Sequence, residues 1–321
     1  MSRTIGRTTV NPNSSYLHAC ALHFLWVSDR PTDPPPTRHP CQRVVPTPNV
    51  PRRMTPDRHT DPSHSLQCLG VGEGKACGRR HSSSFLYRFG PTRLLVDCGD
   101  GMSHALIRAG AGPDDVDALL LSHMHSDHVG GFSMLIQTLW LHRRRRRLPI
   151  HAPARAIPAL KAWMHATILH ENLIGFELDW VPMEAGKPFV IGTVEVLPQT
   201  SSHLESLQRG FGAVLPNTAF EAFSFQLWDD QRRVAHTADI GRADEVGRLL
   251  ETHADLLVTE LSHVQLHDLA ASILRNPPGK AVFVHVTSEA LTAGTTLADQ
   301  IGNRLGSVPF QIAADGDTIP F

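Results

Sequence analysis

Several features are scarce in this chain of 321 residues, and each scarcity argues against a class of protein. It has five cysteines, none in a CxxC pair, so a secreted disulfide scaffold is not indicated. An odd number of isolated cysteines suits a reducing compartment, and we predict a cytoplasmic protein. The formal net charge is only −1, which does not favour a globally basic protein that binds nucleic acid.

A segment that could cross or enter a membrane is also missing. Residues 16–27 are the nearest candidate, but His18 and His23 interrupt this apolar run. The run is shorter than the roughly 20 residues of a membrane helix. Residues 28–30 are Ser, Asp and Arg, where a signal peptide would have small residues for cleavage. We therefore predict neither contact with a membrane nor export.

Residues 1–64 have the composition of a disordered leader. They contain eight Arg and four Asp but neither Lys nor Glu, and residues 28–64 are dense in Pro and Thr. Such a segment cannot bury enough apolar surface to offset its chain entropy. Met54 lies within it, so translation could start there, or the leader could be a genuine flexible tail. The globular domain is predicted to span residues 65–321.

Within that domain, short apolar runs alternate with amphipathic segments and Gly-rich turns. The predicted strands are 66–71, 84–89, 93–97, 117–122, 149–152, 176–182, 189–197, 222–228, 233–237, 255–260 and 281–285. The predicted helices are 103–109, 131–145, 155–170, 243–252, 266–274 and 289–305. Strands and helices that alternate in both halves favour an α/β protein in which two sheets are sandwiched between helical layers.

Histidine is unusually frequent, at 20 residues, and four potential metal ligands occur together. They are His123, His125, Asp127 and His128, which directly follow the apolar strand predicted at 117–122. His123 and His125 are two residues apart and should leave the strand end pointing the same way. Asp127 and His128 then lie on the loop entering a helix and face the same cavity. This arrangement can serve two metal ions, one for each pair.

The motif His-Met-His-Ser-Asp-His at residues 123–128 resembles the signature of the metallo-β-lactamase superfamily. The resemblance covers about residues 66–321 and implies an αββα sandwich, with the metals at one edge of two mixed β-sheets. In that family an Asp after an early strand supports the metal loop without binding metal. Asp97, in Leu-Leu-Val-Asp-Cys-Gly-Asp-Gly, matches it.

The resemblance also implies three more ligands, each after a predicted strand: His203, Asp239 and His285. It implies one metal held by His123, His125, His203 and Asp239. It implies a second metal held by Asp127, His128, Asp239 and His285. A set of nitrogen and oxygen ligands suits two divalent ions, Zn²⁺ first and Mn²⁺ or Fe as alternatives. We predict a hydrolase with a metal-bridging hydroxide, in which Asp127 also accepts a proton.

Residues 69–74, 78–84 and 97–101 are similar to the opening of RNase Z-like proteins. Those enzymes cleave phosphodiesters, notably the 3′ trailer of precursor tRNA. Glu260 matches the Glu of their His-Glu-Ala-Thr motif, although Thr259 stands in the place of the His. His263 or His267 could donate a proton to the leaving group, and a surface position on a helix is the alternative for either.

One departure from the RNase Z pattern concerns the long arm that grips tRNA. Only residues 204–238 separate the two ligands that flank this arm, and most of them are needed for strands. The five arginines at 143–147 could replace the arm as a phosphate-binding patch. We favour the alternative that they form a solvated helix end, where cations complement the helix dipole.

The sequence therefore predicts a metal-dependent hydrolase that acts on a phosphodiester or similar small ester. The alternative is an RNase Z-type endonuclease that processes the 3′ end of precursor tRNA, and RNA is the less favoured partner. A metal-binding protein without catalysis is disfavoured because all the ligand positions are filled. A homodimer is left open.

Overall fold

The computed structural model describes residues 63–292 and 296–321. These residues form two seven-stranded sheets. The first has the order β14-β1-β2-β3-β4-β5-β6 and the second the order β13-β12-β11-β10-β9-β8-β7. The strands are β1 His64–Gly70, β2 Ser84–Phe89, β3 Thr92–Val96, β4 Ala118–Leu120, β5 Leu148–Pro153, β6 Leu178–Met183, β7 Phe189–Ile191, β8 Val194–Thr200, β9 Phe223–Trp228, β10 Arg233–His236, β11 Leu256–Glu260, β12 Lys280–Val284, β13 Phe310–Ile312 and β14 Thr318–Pro320.

Helices cover the outer face of each sheet. They are α1 Met102–Arg108, α2 Ser126–Val129, α3 Phe132–Leu141, α4 Ala156–Ala166, α5 Glu171–Ile174, α6 Glu205–Phe211, α7 Asp244–Leu249, α8 Leu266–Arg275, α9 Ser288–Thr292 and α10 Leu297–Leu305. One apolar cluster lies between the first sheet and α1, α3 and α4, and another between the two sheets. A third lies between the second sheet and α7, α8 and α10. The predicted αββα sandwich is confirmed.

The alternation of side chains along β2 shows why this layering forms. Phe85, Tyr87 and Phe89 point into the cluster between the sheets, whereas Leu86 points outward under the helices. Successive side chains of a strand face opposite sides of the sheet. A strand with apolar side chains on both of its faces is therefore stable only when both faces are covered. The short strand β4 is buried throughout for the same reason.

Both sheets are mixed, and their parallel parts position the functional groups. Strands β3 to β6 run parallel to one another, as do β10 to β13. The remaining neighbours pair antiparallel. The carboxyl ends of parallel strands meet at one edge of a sheet, where open α/β folds place their ligands.

Four predicted elements differ most from the structure. The helix predicted at 155–170 ends at Ala166, and Ile168 has a φ of 63°. The helix predicted at 131–145 ends at Leu141. Arg143 has a φ of 65°, and a right-handed helix cannot continue through a residue with a positive φ. The strand predicted at 189–197 is a hairpin, β7 and β8, which turns at Gly192 with a φ of 58°. The helix predicted at 289–305 is divided into α9 and α10. The helices α2, α5 and α6 and the strands β13 and β14 were not predicted.

The predicted leader lies almost wholly outside the described residues. Its last residue, His64, is nevertheless the first residue of β1, and its imidazole Nε2 lies 2.8 Å from Oδ2 of Asp229. Across residues 63–292 and 296–321, no helix combines the length and the apolar character needed to cross a membrane.

Candidate metal centre

The predicted ligands follow the carboxyl ends of four strands, and these ends come from both sheets. The motif at 123–128 follows β4 of the first sheet. His203, Asp239 and His285 follow β8, β10 and β12 of the second sheet. The structure thus brings all seven predicted ligands to one edge of the sandwich, where they form two clusters.

The first cluster contains the predicted ligands His123, His125, His203 and Asp239, whose donor atoms all lie within 4.8 Å of one another. Nε2 of His203 is 3.1 Å from Nδ1 of His125 and 3.6 Å from Oδ2 of Asp239. Nε2 of His123 is 3.9 Å from the same carboxylate oxygen. Three imidazole nitrogens and one carboxylate oxygen therefore face a common point.

The second cluster contains Asp127, His128, Asp239 and His285. Nε2 of His285 is 3.0 Å from Oδ2 of Asp127, and Nε2 of His128 is 3.4 Å from that oxygen. Oδ1 of Asp239 lies 3.3 Å from Nε2 of His128 and 3.8 Å from Nε2 of His285. Asp239 thus presents one oxygen to each cluster.

Three buried atoms at this centre test whether it fits metal ions. Nε2 of His123, Nε2 of His128 and Oδ1 of Asp239 have no hydrogen-bond partner, although the last two lie 3.3 Å apart. Buried polar atoms are seldom left without a partner in native proteins. Cations between the imidazoles and carboxylates would satisfy all three atoms, and the nitrogen and oxygen donors suit Zn²⁺. The residues present therefore fit a pair of divalent ions.

Asp97 supports the motif, as the resemblance implies. Its Oδ1 accepts a hydrogen bond from the Ser122 amide at 2.7 Å, and its Oδ2 accepts one from the Ser122 hydroxyl at 2.8 Å. Oδ2 also lies 2.7 Å from Nδ1 of His128. Because a ring nitrogen that donates to a carboxylate leaves the other nitrogen for the metal, Asp97 directs Nε2 of His128 toward the centre.

Two buried glutamates brace the loops of the second sheet. Glu245 accepts hydrogen bonds from the amide and hydroxyl of Ser202, which precedes His203, and from the amide of Arg242 at 3.1 Å. Glu260 accepts one from the amide of Ile240 at 3.1 Å, next to Asp239. Glu245 was not among the residues predicted from the sequence. Its signal is a carboxylate beside Val246 and Leu249 on the buried face of α7.

Burial and neighbouring charge set the ionisation of the cluster. Burial lowers the pKa of His123 well below its ordinary value and that of His203 to about 4. Burial would raise the pKa of Asp127, but hydrogen bonds from His128 and His285 hold it below the ordinary value. Burial acts in the same way on Asp239 and is outweighed by the charges of His128 and His285. Neutral imidazoles and ionised carboxylates are the forms that bind metal.

His128 is the exception among the imidazoles. Burial acts to lower its pKa, but the charges of Asp239 and Asp97 outweigh burial and raise the pKa well above the ordinary value. The two carboxylates thus stabilise positive charge at this position. A bound metal ion would supply such a charge.

The two candidate proton donors differ in position. Nδ1 of His263 lies 2.9 Å from Oε1 of Glu260 and 3.8 Å from Oδ2 of Asp239. Burial acts to lower the pKa of His263, but the hydrogen bond and charge of Glu260 outweigh it and the pKa is raised. His267 is exposed in the first turn of α8. The structure therefore places His263 beside the centre.

The arginines at 143–147 do not form the predicted helix end, because α3 ends before them. Arg144 is only 1% exposed, and its guanidinium donates to the carbonyls of Pro113 and Val116 at 2.7 and 3.0 Å. Arg146 binds Asp117 at the amino end of β4. Extended chain rises about 3.3 Å per residue, so Asp117 lies roughly 20 Å from His123. These arginines are therefore at the opposite end of β4 from the metal motif.

Comparison with known proteins identifies the family. Residues 92–287 match the model of the Beta-lactamase superfamily domain. The chain is 30% identical to a ribonuclease Z from Bradyrhizobium sp. over 148 residues, which are 46% of this chain and 49% of that protein. The chain thus spans about half the length of this curated relative.

Two solved structures share the fold. The metallo-beta-lactamase fold protein YhfI from Bacillus subtilis is 18% identical, with a TM-score of 0.64 over 80% of this chain and 99% of that one. The short form of human tRNase Z is 17% identical, with a TM-score of 0.58 over 80% of this chain and all of that one, 100%. The chain therefore belongs to the beta-lactamase superfamily.

Proposed function

We propose that the protein is a binuclear phosphodiesterase that hydrolyses a small phosphodiester or a similar ester. One observation carries the proposal: two clusters of four ligands share Asp239, which presents one carboxylate oxygen to each cluster. Ions at these positions would lie side by side, as two-metal hydrolysis of a phosphodiester requires. Zn²⁺ is our first choice, and Mn²⁺ or Fe are alternatives.

When bound, the two ions would polarise the phosphoryl oxygens and make a water nucleophilic near neutral pH. Asp127 has a second task beside ligation, because its carboxylate is ionised and partly accessible. It can orient that water and accept a proton from it. The low pKa of Asp127 keeps its carboxylate ionised throughout the neutral range, so it can accept a hydrogen bond from that water.

His263 is proposed to protonate the leaving oxygen. Its Nδ1 lies against Glu260, so Nε2 is left for the substrate. The raised pKa keeps a larger fraction of this imidazole protonated near neutrality than an isolated histidine would have. The side chain is partly exposed, as a group that meets an incoming substrate must be.

Cleavage of RNA is the second candidate function, and the ribonuclease Z relative favours it. The short connection between His203 and Asp239 argues against a large folded RNA, since it contains only α6, β9, β10 and their loops. The basic segment at 143–147 adds no phosphate contacts at the metal edge, because its arginines lie beyond the other end of β4.

The test is a comparison of two substrates with the protein reconstituted in Zn²⁺ or Mn²⁺. We expect about two metal ions per chain, turnover of bis(p-nitrophenyl) phosphate, and little or no trimming of precursor tRNA at physiological salt. Asp127→Ala should lower turnover by orders of magnitude without loss of circular dichroism signal, which excludes a contaminating enzyme. Efficient trimming of precursor tRNA would establish the second candidate, and the absence of bound metal after reconstitution would refute both.

A further inference from the structure

The segment at 205–218, which we call the flap, contains no buried residue and lies two positions after the predicted ligand His203. It begins with α6, a helix in which no residue is buried, and continues as a loop. The chain on both sides is anchored, because Leu204 and Ala219 are buried. His203, a predicted ligand, immediately precedes Leu204.

An ion pair fixes the base of the flap to a second ligand loop. Oε2 of Glu205 lies 3.4 Å from Nη1 of Arg242, and Arg242 is three residues beyond Asp239. The flap is therefore attached to the loops of two ligands of the first cluster. Its base lies at the rim of the metal centre.

The flap exposes an unusual number of large apolar side chains. Leu207 is 39% exposed, Phe211 52%, Val214 73% and Leu215 47%. The described residues contain twelve exposed large hydrophobic side chains, and these four fall within nine consecutive positions. Single exposed hydrophobic residues are normal on a protein surface, whereas an exposed apolar patch of several hundred Å² is often a place of interaction.

Charge and area indicate what this surface binds. The flap carries one arginine, Arg209, and its guanidinium lies 3.5 Å from Glu205, so the flap offers no excess of positive charge to a nucleic acid backbone. The four apolar side chains expose roughly 400 Å² together, about half of the 800 Å² per partner that a stable protein interface buries. A small apolar group fits both observations better than RNA or a second copy of the chain.

We propose that the flap binds an apolar part of the substrate, so that the preferred substrate is an ester or phosphodiester with an alkyl or aryl group. This inference rests on the proposed function and names the substrate class of the same site. The ester would lie at the metal centre, and its apolar group would extend from the rim across Leu207, Phe211, Val214 and Leu215.

The test measures binding rather than turnover, by isothermal titration of the zinc-loaded protein with methyl-, butyl- and octylphosphonate. Affinity should rise with chain length, by about threefold to fourfold for each methylene that leaves water. In the variant with Leu207, Phe211, Val214 and Leu215 all changed to Ser, the dependence on chain length should disappear while methylphosphonate binds as before. The control variant Ile168→Ser/Leu173→Ser, which alters exposed apolar residues outside the flap, should keep the dependence.

Each other result is informative. If methylphosphonate binds but affinity is independent of chain length, or the flap variant keeps the dependence, the flap inference is wrong and the proposed function stands. If no phosphonate binds although the zinc-loaded protein hydrolyses bis(p-nitrophenyl) phosphate, the flap inference is overturned and the proposed function stands; if that substrate is not hydrolysed either, both fail. If light scattering shows that the natural protein is a dimer and the flap variant a monomer, the flap is an interface between two copies of the chain. That result also overturns the inference. Phe211→Ser alone repeats the test with a smaller perturbation.

Discussion

Asp97 determines which nitrogen of His128 faces the metal centre. Its carboxylate lies in the buried core, where it holds Ser122 and Nδ1 of His128 at once. An amide at this position would keep the volume and lose the charge. The ring of His128 would then be free to turn, and Nε2 would no longer be held toward Asp127 and Asp239.

We therefore predict that Asp97→Asn weakens zinc binding about 10-fold to 100-fold, the usual effect of losing a partner that orients a ligand. Competition with a chromogenic chelator measures the affinity. Asp229→Asn is the matched control, because Asp229 is a buried carboxylate that binds a histidine, His64, away from the metal ligands. Unchanged zinc affinity in Asp97→Asn would refute the role given to Asp97.

His236, which is not one of the predicted ligands, makes stability depend on pH. It is 1% exposed, and its Nδ1 lies within hydrogen-bond distance of the Tyr87 hydroxyl, at 2.8 Å. Burial lowers its pKa from 6.5 to about 3. Between these pH values the unfolded chain binds a proton that the folded protein does not. The free energy of unfolding therefore falls as the pH is lowered through this window, and the full stability is present above it.

We expect this group to contribute about 1.4 kcal/mol for each pH unit within the window. Urea unfolding of metal-free protein at several pH values would measure it. His236→Phe should flatten the curve by this slope relative to the natural protein, and the exposed His104→Phe should leave the slope unchanged. Equal slopes in the natural protein and His236→Phe would contradict the prediction.

At the scale of elements, the segment between β1 and β2 holds the chain after β12 in place by hydrogen bonds, and we call this group of contacts the clamp. His285 has a φ of 48°, a left-handed backbone that is unfavourable for residues other than glycine. Its amide donates to the carbonyl of Val71 at 3.0 Å. Arg80 donates to the carbonyl of Val286 at 2.6 Å and to the hydroxyl of Ser288 at 3.0 Å. These contacts hold the ligand in a conformation that costs about 1–3 kcal/mol elsewhere.

Arg80→Met should release this clamp. We predict a melting temperature lower by several degrees and weaker binding of the metal held by His285, with the total zinc falling toward one ion per chain. Differential scanning fluorimetry and metal analysis would measure the two effects. Arg79→Met is the control, since Arg79 is exposed and adjacent in sequence. If both variants behave alike, the clamp has no energetic effect.

The elements that the sequence predicted well have a simple period. Strands β2 and β12 are apolar along most of their length, so the sequence alone predicts that they are buried strands. The hairpin β7–β8 was missed because its turn depends on Gly192, where a Cβ would lie 2.3 Å from Oγ1 of Thr92, a distant residue. The end of α3 was missed because Arg144 is buried through hydrogen bonds to the carbonyls of Pro113 and Val116. These carbonyls are distant in sequence and come close to Arg144 only in the folded chain.

At the scale of the whole molecule, the predicted ligands follow a local sequence pattern, whereas the residues that hold them in place depend on contacts between distant parts of the chain. The seven predicted ligands could be picked out because potential metal donors at strand ends form a motif with order and spacing, and the fold brings these residues together. Glu245 could not, because it acts on Ser202 and Arg242, and no local pattern joins position 245 to position 202. The exposed flap was missed for the opposite reason: its apolar residues look like a core segment in sequence.

The leader is predicted to be dispensable, provided that the truncation respects β1. Deleting residues 1–62 should leave the melting temperature and turnover nearly unchanged, because most of that segment is rich in Pro, Arg and Thr and has little apolar surface that could dock. Deleting residues 1–64 should lower the melting temperature, since it removes His64 and its contact with Asp229. Thermal melts of the two truncated proteins would separate these cases. A loss of several degrees in the shorter deletion would show that the leader packs on the domain.

Each ligand cluster draws two donors from the loop after the first sheet and two from strand ends of the second. An ion bound there would be a cross-link between the halves of the sandwich. Its binding free energy would add to the stability of the native state, by about 2.7 kcal/mol when free metal is a hundred times its dissociation constant. A cell short of metal would then lose more than turnover. It would hold fewer folded copies of the enzyme, because the copies made without metal would open and be degraded sooner.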